Sequence, residues 1–170
     1  KALALGGDEA IRVNADIQDP FFIASQIAHV AKEGGYDLIM TGKETIDHNG
    51  SSIGAMVAEL LDTNYISLAT KLDIENGKAL VSREIEGGEE IAESPLPLTI
   101  SCQKGMAEQR IPNMRGIMAA RTKPLHVIDP IKSSKINHLS DKVLEKNRML
   151  KVLKPENINE IVEIFKQFKK

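Results

Sequence analysis

Residues 38–61 carry the feature that most constrains this chain: a short apolar run, a polar loop and an amphipathic helix in direct succession. Leu38-Ile39-Met40 has the length of a buried strand, and Ile53, Met56, Val57, Leu60 and Leu61 recur at i, i+3, i+4, i+7 and i+8. The stretch 41–54 therefore lies outside the carboxyl end of a strand and leads into a helix amino terminus. Free backbone N–H groups and the helix dipole favour small, above all anionic, ligands there. Ser51 and Ser52 are the capping candidates, and their hydroxyls can share a phosphate with the backbone. The plain alternative is a serine-capped strand-to-helix loop that binds nothing. No Gly-x-x-x-x-Gly-Lys-Ser/Thr and no Gly-x-Gly-x-x-Gly after a strand is present, so a nucleotide here needs a different kind of loop.

The elements before this loop keep the same alternation. Residues 8–13 alternate weakly as a strand, and Asp19-Pro20 starts a helix with aspartate at the cap and proline at its first position. Ile23, Ile27, Val30 and Ala31 form the expected buried face, and Gly34-Gly35 ends the helix. His29 is expected at the surface rather than as a metal ligand. Strand, helix, strand, loop, helix is the order of a parallel α/β sheet. The opening Lys1–Gly7 has the look of a helix end with a glycine stop, and further chain is expected to precede it.

After Tyr65 the helical period gives way to strands. Leu72 and Ile74 lead into Asn76-Gly77, a strong hairpin signal; Leu80, Val81 and Ile85 lie on the return. Gly87-Gly88 turns into a third limb, Pro95-Leu96-Pro97 stops it, and 98–101 is a further core strand. This antiparallel excursion serves either a contact or only as an edge ornament. Residues 103–124 show little periodicity but carry Met106, Ile111, Met114, Ile117 and Met118, either as an exposed docking surface or as a segment crossing the core. Arg115, Arg121 and Lys123 add positive charge that suits acidic partners. From Leu125 to Leu139 the chain has an extended, linker-like character. Pro155-Glu156 then opens a helix with Ile158, Ile161, Val162, Phe165 and Phe168 on one face, which docks on another polypeptide or back on its own domain.

Composition narrows the function. With 22 basic and 24 acidic residues, a net charge of -2 gives no reason to expect nucleic acid as the main partner. One cysteine, Cys102, excludes an internal disulfide framework. No apolar run approaches the roughly 20 residues that span a bilayer, so no direct membrane insertion is expected. There is no Gly-x-Ser-x-Gly, His-Glu-x-x-His or Cys-x-x-Cys, and the four histidines are scattered. The glutamates at 84, 86, 89, 90 and 93 are expected to be a solvated edge. The residues argue for binding rather than turnover.

Three ordered blocks carry a family resemblance. Residues 81–90, Val-Ser-Arg-Glu-Ile-Glu-Gly-Gly-Glu-Glu, with Glu93 and Pro95-Leu96-Pro97 behind them, resemble the signature of the electron-transfer flavoprotein beta subunit. Glu108-x-Arg110-x-Pro112, then 116–120 and Lys123-Pro124, is similar to that family's next block, and 41–54 to its adenylate loop. The likeness runs from Ala2 to about Pro124 and more loosely through the tail.

The resemblance implies an α/β fold: a Rossmann-like parallel sheet of the adenine nucleotide-binding (alpha-hydrolase-like) type with an antiparallel hairpin insertion. It implies a nucleotide-binding domain over 1–124, incomplete at its start, with a partner-recognition loop at about 102–123. The tail 125–170 would dock on an alpha subunit. That subunit mainly holds a redox-active FAD, while the beta subunit binds AMP or, in bifurcating members, a second FAD. Electrons pass from acyl-CoA dehydrogenases or similar donors to a quinone reductase or another acceptor, in bacterial cytoplasm or the mitochondrial matrix. Position by position, nucleotide contacts fall on Gly42, Ile46, Asp47, Asn49, Gly50, Ser51, Ser52 and Ile53. Partner contacts fall on Arg83, Glu84, Arg110, Met114 (the apolar anchor), Ile117, Met118, Arg121 and Lys123. Where many relatives have Asn-Gln-Thr or Ala-Gln-Val, this chain has Ser51-Ser52-Ile53. Family members begin with further βα structure that adds adenosine contacts. The rival reading is a stand-alone, universal-stress-type nucleotide-binding regulator, whose glycine-rich loop is missing here.

Overall fold

The computed structural model describes residues 1–133 and 152–167. They belong to separate compact units, Lys1–His138 and Leu139–Lys170. In the first unit, β2 (Leu38–Gly42), β6 (Leu98–Cys102), β3 (Asn64–Glu75), β4 (Lys78–Ile85) and β5 (Gly88–Pro95) form one sheet in that spatial order. β2 and β3 flank β6 in parallel, whereas β3, β4 and β5 run antiparallel. A second, two-stranded parallel sheet joins β1 (Ala10–Val13) to β7 (Leu125–Ile128). The helices are α1 (Pro20–Gly34), α2 (Ile53–Leu61) and α3 (Met114–Ala120), with α4 (Ile158–Gln167) in the second unit. The α/β class and the hairpin excursion are as expected from the sequence.

β6 is buried because it lies between two parallel neighbours with α2 packed against it; Leu98, Thr99 and Ile100 are 0% exposed. Burying an aliphatic side chain of this kind contributes roughly 1.5–3 kcal/mol. The hydroxyls on this strand are satisfied: Thr99 pairs with Thr63 at 3.0 Å, and Ser101 Oγ accepts the Leu68 N–H at 2.9 Å. Ile66, Ala69, Ala79 and Val81 complete the core cluster. β3 serves two partners because its register breaks between Ile66 and Ala69, where Leu68 takes a left-handed φ of 59°. Asn76 (φ 51°) and Gly77 (φ 76°) both lie in the left-handed region that a two-residue hairpin turn requires.

α1 starts as its sequence dictates. The Asp19 carboxylate accepts the Phe22 N–H at 2.8 Å, Pro20 occupies the first turn, and Gly35 ends the helix at φ 61°. His29 is half-buried and lies 3.5 Å from Glu33 on the same helix.

Its buried face differs from the expected one. Phe22, Ala24, Ser25, Gln26, Ala28 and Ala31 are buried, whereas Ile23, Ile27 and Val30 are only partly so. The small residues allow close packing on α2. Ile27 and Val30 instead line an apolar cavity of about 310 Å³, together with Ile11 and Val13 of β1 and Leu38, Ile39 and Met40 of β2. Among the described residues β1 pairs only with β7 and β2 only with β6, so each has an edge without a strand partner.

Two other expectations are corrected. Residues 125–128, read as linker-like, are a strand, because Leu125–Ile128 registers on Ala10–Val13 far away in sequence. The segment 103–124, read as lacking helical period, contains α3, one short helix capped by Asn113, whose side chain accepts the Gly116 N–H at 2.8 Å. The final helix is present. Ile158, Val162 and Phe165 are 63%, 46% and 71% exposed, leaving an apolar face uncovered; Phe168 lies outside the described residues.

Among the described residues just beyond β7, Ile131 and Ser133 are tied to α1 by a buried amide. Gln26 is 6% exposed; its Oε1 accepts the Ile131 N–H at 2.9 Å, and its Nε2 donates to the Ile131 carbonyl at 2.8 Å and to Ser133 Oγ at 3.2 Å. Gln26→Leu keeps the bulk but strands both Ile131 backbone groups. It is expected to lower unfolding stability by about 1–3 kcal/mol. Urea titration checks this; an unchanged midpoint would show that water replaces the clamp without loss.

Candidate functional site

The loop between β2 and α2 is built by local hydrogen bonds. Thr41 Oγ1 donates to the Ile100 carbonyl at 3.2 Å, fixing the end of β2 to β6. The Thr45 N–H reaches the Gly50 carbonyl at 2.9 Å, and the Gly50 N–H reaches Thr45 Oγ1 at 3.1 Å. These close the turn 45–50, in which Asn49 takes a left-handed φ of 52°. α2 then begins at Ser52, whose side chain makes no capping hydrogen bond, contrary to its expected role. The αR backbone of Ser52 (φ -85°, ψ -21°) replaces the extended cap geometry that normally aims the hydroxyl at the first turn. The helix start thus lacks a cap hydrogen bond from the Ser52 side chain, which leaves its N–H groups a favourable place for an anion.

Beside it lies a cavity of about 370 Å³. Gly42, Gly50, Ser51 and Ile53 line it, as do Thr41, Glu44, Thr45 and Gly54 at the loop and Ile27, Ile39 and Met40 along one side. It combines an apolar wall with hydroxyl and backbone groups at the loop. Glu44 is 3.4 Å from Lys43, whose ammonium offsets its charge. Ile46, Asp47, Asn49 and Ser52 do not line the cavity. Ile46 is fully exposed at the tip of the turn. The Thr45 hydroxyl and the His48 N–H hold the Asp47 carboxyl below its ordinary pKa. A depressed folded pKa stabilises this turn above the unfolded carboxylate pKa. That contribution is lost as pH falls through the folded value.

The sequence reading missed Thr41, Thr45 and Gly54, although a glycine in the first turn of an otherwise regular helix was a usable signal. Gly54 is buried, and an added Cβ would sit 2.6 Å from Thr41 Oγ1 and 3.1–3.2 Å from the Tyr65 ring and hydroxyl. Only glycine lets α2 start this close to the end of β2.

A second constellation lies around β4, β5 and α3. Arg83 forms an ion pair with Glu90, its neighbour on β5, and reaches Ser67 Oγ at 3.4 Å. Glu84 accepts from Gln103 Nε2 at 2.6 Å, joining the hairpin to the start of the 103–124 segment. On and before α3, Ile111, Met114, Ile117 and Met118 are 83%, 73%, 42% and 65% exposed, while Met106 packs on the core cluster. Exposed apolar residues close together in sequence make this segment a candidate docking surface. Arg110 and Arg121 are exposed; Lys123 is half-buried and donates to the carbonyls of Leu3 and Gly7. The structure therefore brings Met114, Ile117 and Met118 together on one short helix and turns Lys123 inward. Burial raises the Cys102 thiol pKa, so this cysteine at the end of β6 stays protonated at neutral pH.

Gly54→Ala is expected to cost about 1–3 kcal/mol of stability through overpacking of a buried contact. Thermal unfolding checks it; a variant as stable as the parent would mean that Thr41 and Tyr65 yield freely.

Comparison with known proteins bears on both constellations. Residues 1–133 match the family described as "Electron transfer flavoprotein domain". The chain is 36% identical over 132 residues to "Electron transfer flavoprotein subunit beta" of Bacillus subtilis, covering 75% of this chain and 51% of that protein. It is 33% identical over 134 residues to the human protein of the same name, covering 76% and 52%. The Dictyostelium discoideum subunit is 29% identical over 171 residues, covering 98% of this chain and 68% of that protein. The chain thus spans about half the length of the first two relatives.

Proposed function

This chain belongs to the electron transfer flavoprotein domain family, and from that premise we propose that it is the nucleotide-binding and partner-docking portion of the beta subunit of a heterodimeric electron carrier. One observation carries the reading. A single family match over residues 1–133 takes in both the loop between β2 and α2 and the exposed apolar face of α3.

In this reading the cavity at the loop holds AMP or the adenylate part of a second FAD. The phosphate lies at the start of α2 against Ser51 and the backbone of Gly50, with Gly42 leaving room, and the base rests on the apolar side formed by Ile27, Ile39 and Met40. Ile46, Asp47, Asn49 and Ser52 belong to the proposed contact set through the loop that carries them. The edge of β2 without a strand partner borders the same cavity, where further chain would supply the remaining adenosine contacts.

The redox FAD, held mainly by an alpha subunit, would take electrons from acyl-CoA dehydrogenases or similar donors and give them to a quinone reductase or another acceptor. This chain's own residues bind and orient. Met114, Ile117 and Met118 seat a redox partner, with Arg110 and Arg121 steering it. Arg83 and Glu84 face the flavin-bearing domain, and the tail with α4 covers its apolar face on alpha. No residue here is assigned a catalytic role.

Two measurements test the reading on the protein purified with its alpha subunit. Ser51→Asp places a carboxylate where the phosphate would lie and is expected to reduce extractable AMP at least about tenfold. Undiminished nucleotide, identified after acid release, would remove Ser51 from the site. Met114→Ala is expected to slow reduction by a dehydrogenase about five- to tenfold while FAD content stays constant. Stopped-flow kinetics equal to the parent's would end the docking role of α3.

A further inference from the structure

We propose that Lys123 is a positioning residue, one that clamps the Ala2–Gly7 turn to α3 and thereby fixes the apolar face that α3 presents. This rests on the partner-docking reading given above. The geometry begins with two arms laid side by side. One is the 3₁₀ turn Ala2–Leu5 followed by β1, the other α3 followed by β7. Their strands pair in parallel, with Ala10 opposite Leu125 and the Ala10 N–H on the Pro124 carbonyl at 3.1 Å, and their helical parts pack on each other.

α3 has two different faces. Met114 and Met118, one turn apart, point to solvent. Gly116 and Ala120, also one turn apart and roughly opposite, are half-buried. A Cβ added at Gly116 would overlap the Ala4 carbonyl oxygen, so glycine is what lets the 3₁₀ turn approach this closely. Carbonyls at the end of that turn then need donors. The Lys123 ammonium supplies them from the link between α3 and β7, at 3.2 Å to Leu3 and 2.6 Å to Gly7. An ammonium so engaged has one donor left for anything outside. Lys123 therefore differs from its exposed neighbour Arg121. Two of its donors are used inside the chain, and we take its effect on a partner to pass through the orientation of α3.

The test compares Lys123→Met, Lys123→Arg and Gly116→Ala in the complex with alpha. Loss of two charge-assisted hydrogen bonds should raise amide exchange in residues 2–7 and 114–120 on the order of tenfold in Lys123→Met. Lys123→Arg should largely restore protection, and Gly116→Ala should resemble the methionine variant. Reduction by a dehydrogenase should slow comparably in both disrupted variants, although Gly116→Ala keeps the charge. Unchanged exchange would overturn the proposal; so would reduction that slows in Lys123→Met but stays at the parent's rate in Gly116→Ala, which would make Lys123 a direct electrostatic contact. If Met114→Ala leaves reduction untouched while Lys123→Met still opens these amides, the clamp stands and the docking reading fails.

Discussion

The fold depends on one strand placed late in the sequence and central in space. β6 enters between β2 and β3, and it must be apolar or hydrogen-bonded on every side because no water reaches it. Leu98 and Ile100 answer the first requirement, and Thr99 and Ser101, with Thr63 and the Leu68 amide as partners, answer the second. Once β6 is seated, the carboxyl end of β2 is fixed through Thr41, and with it the start of α2. The candidate site therefore joins core packing, which sets its two ends, to the Thr45–Gly50 hydrogen bonds that close its turn.

Much of this could be read from local pattern. Helix caps and turns were legible because their chemistry is short-range: Asp19-Pro20, Gly34-Gly35 and Asn76-Gly77 each do what their side chains and φ preferences require. Long-range pairing was not. Nothing within Leu125–Ile128 announces that its partner is Ala10–Val13, and α3 spans only two turns, too short for a period to emerge. The α1 face was misjudged for a related reason. Large aliphatics are expected inward, whereas the buried positions are held by Phe22 and by alanine, serine and glutamine.

The site was legible in outline and blurred in detail. Its place beyond a strand and before a helix followed from order alone, and Gly42, Gly50, Ser51 and Ile53 do line the cavity. The tip residues were carried along by resemblance, and the walls from β2 and α1 had no motif to announce them. Lys123 carries a feature that charge counting does not announce: its hydrogen bonds run to the chain's own backbone.

Among the described residues, one side of β2 has no strand partner, and this has a practical consequence. Leu38-Ile39-Met40-Thr41-Gly42 contains no charged residue and no proline, the two devices that keep a free strand rim from recruiting copies of itself. Left bare, such a rim is a template on which a second copy can pair. Whatever covers the rim acts as a solubiliser as much as a stabiliser, because it removes a template before another molecule can use it.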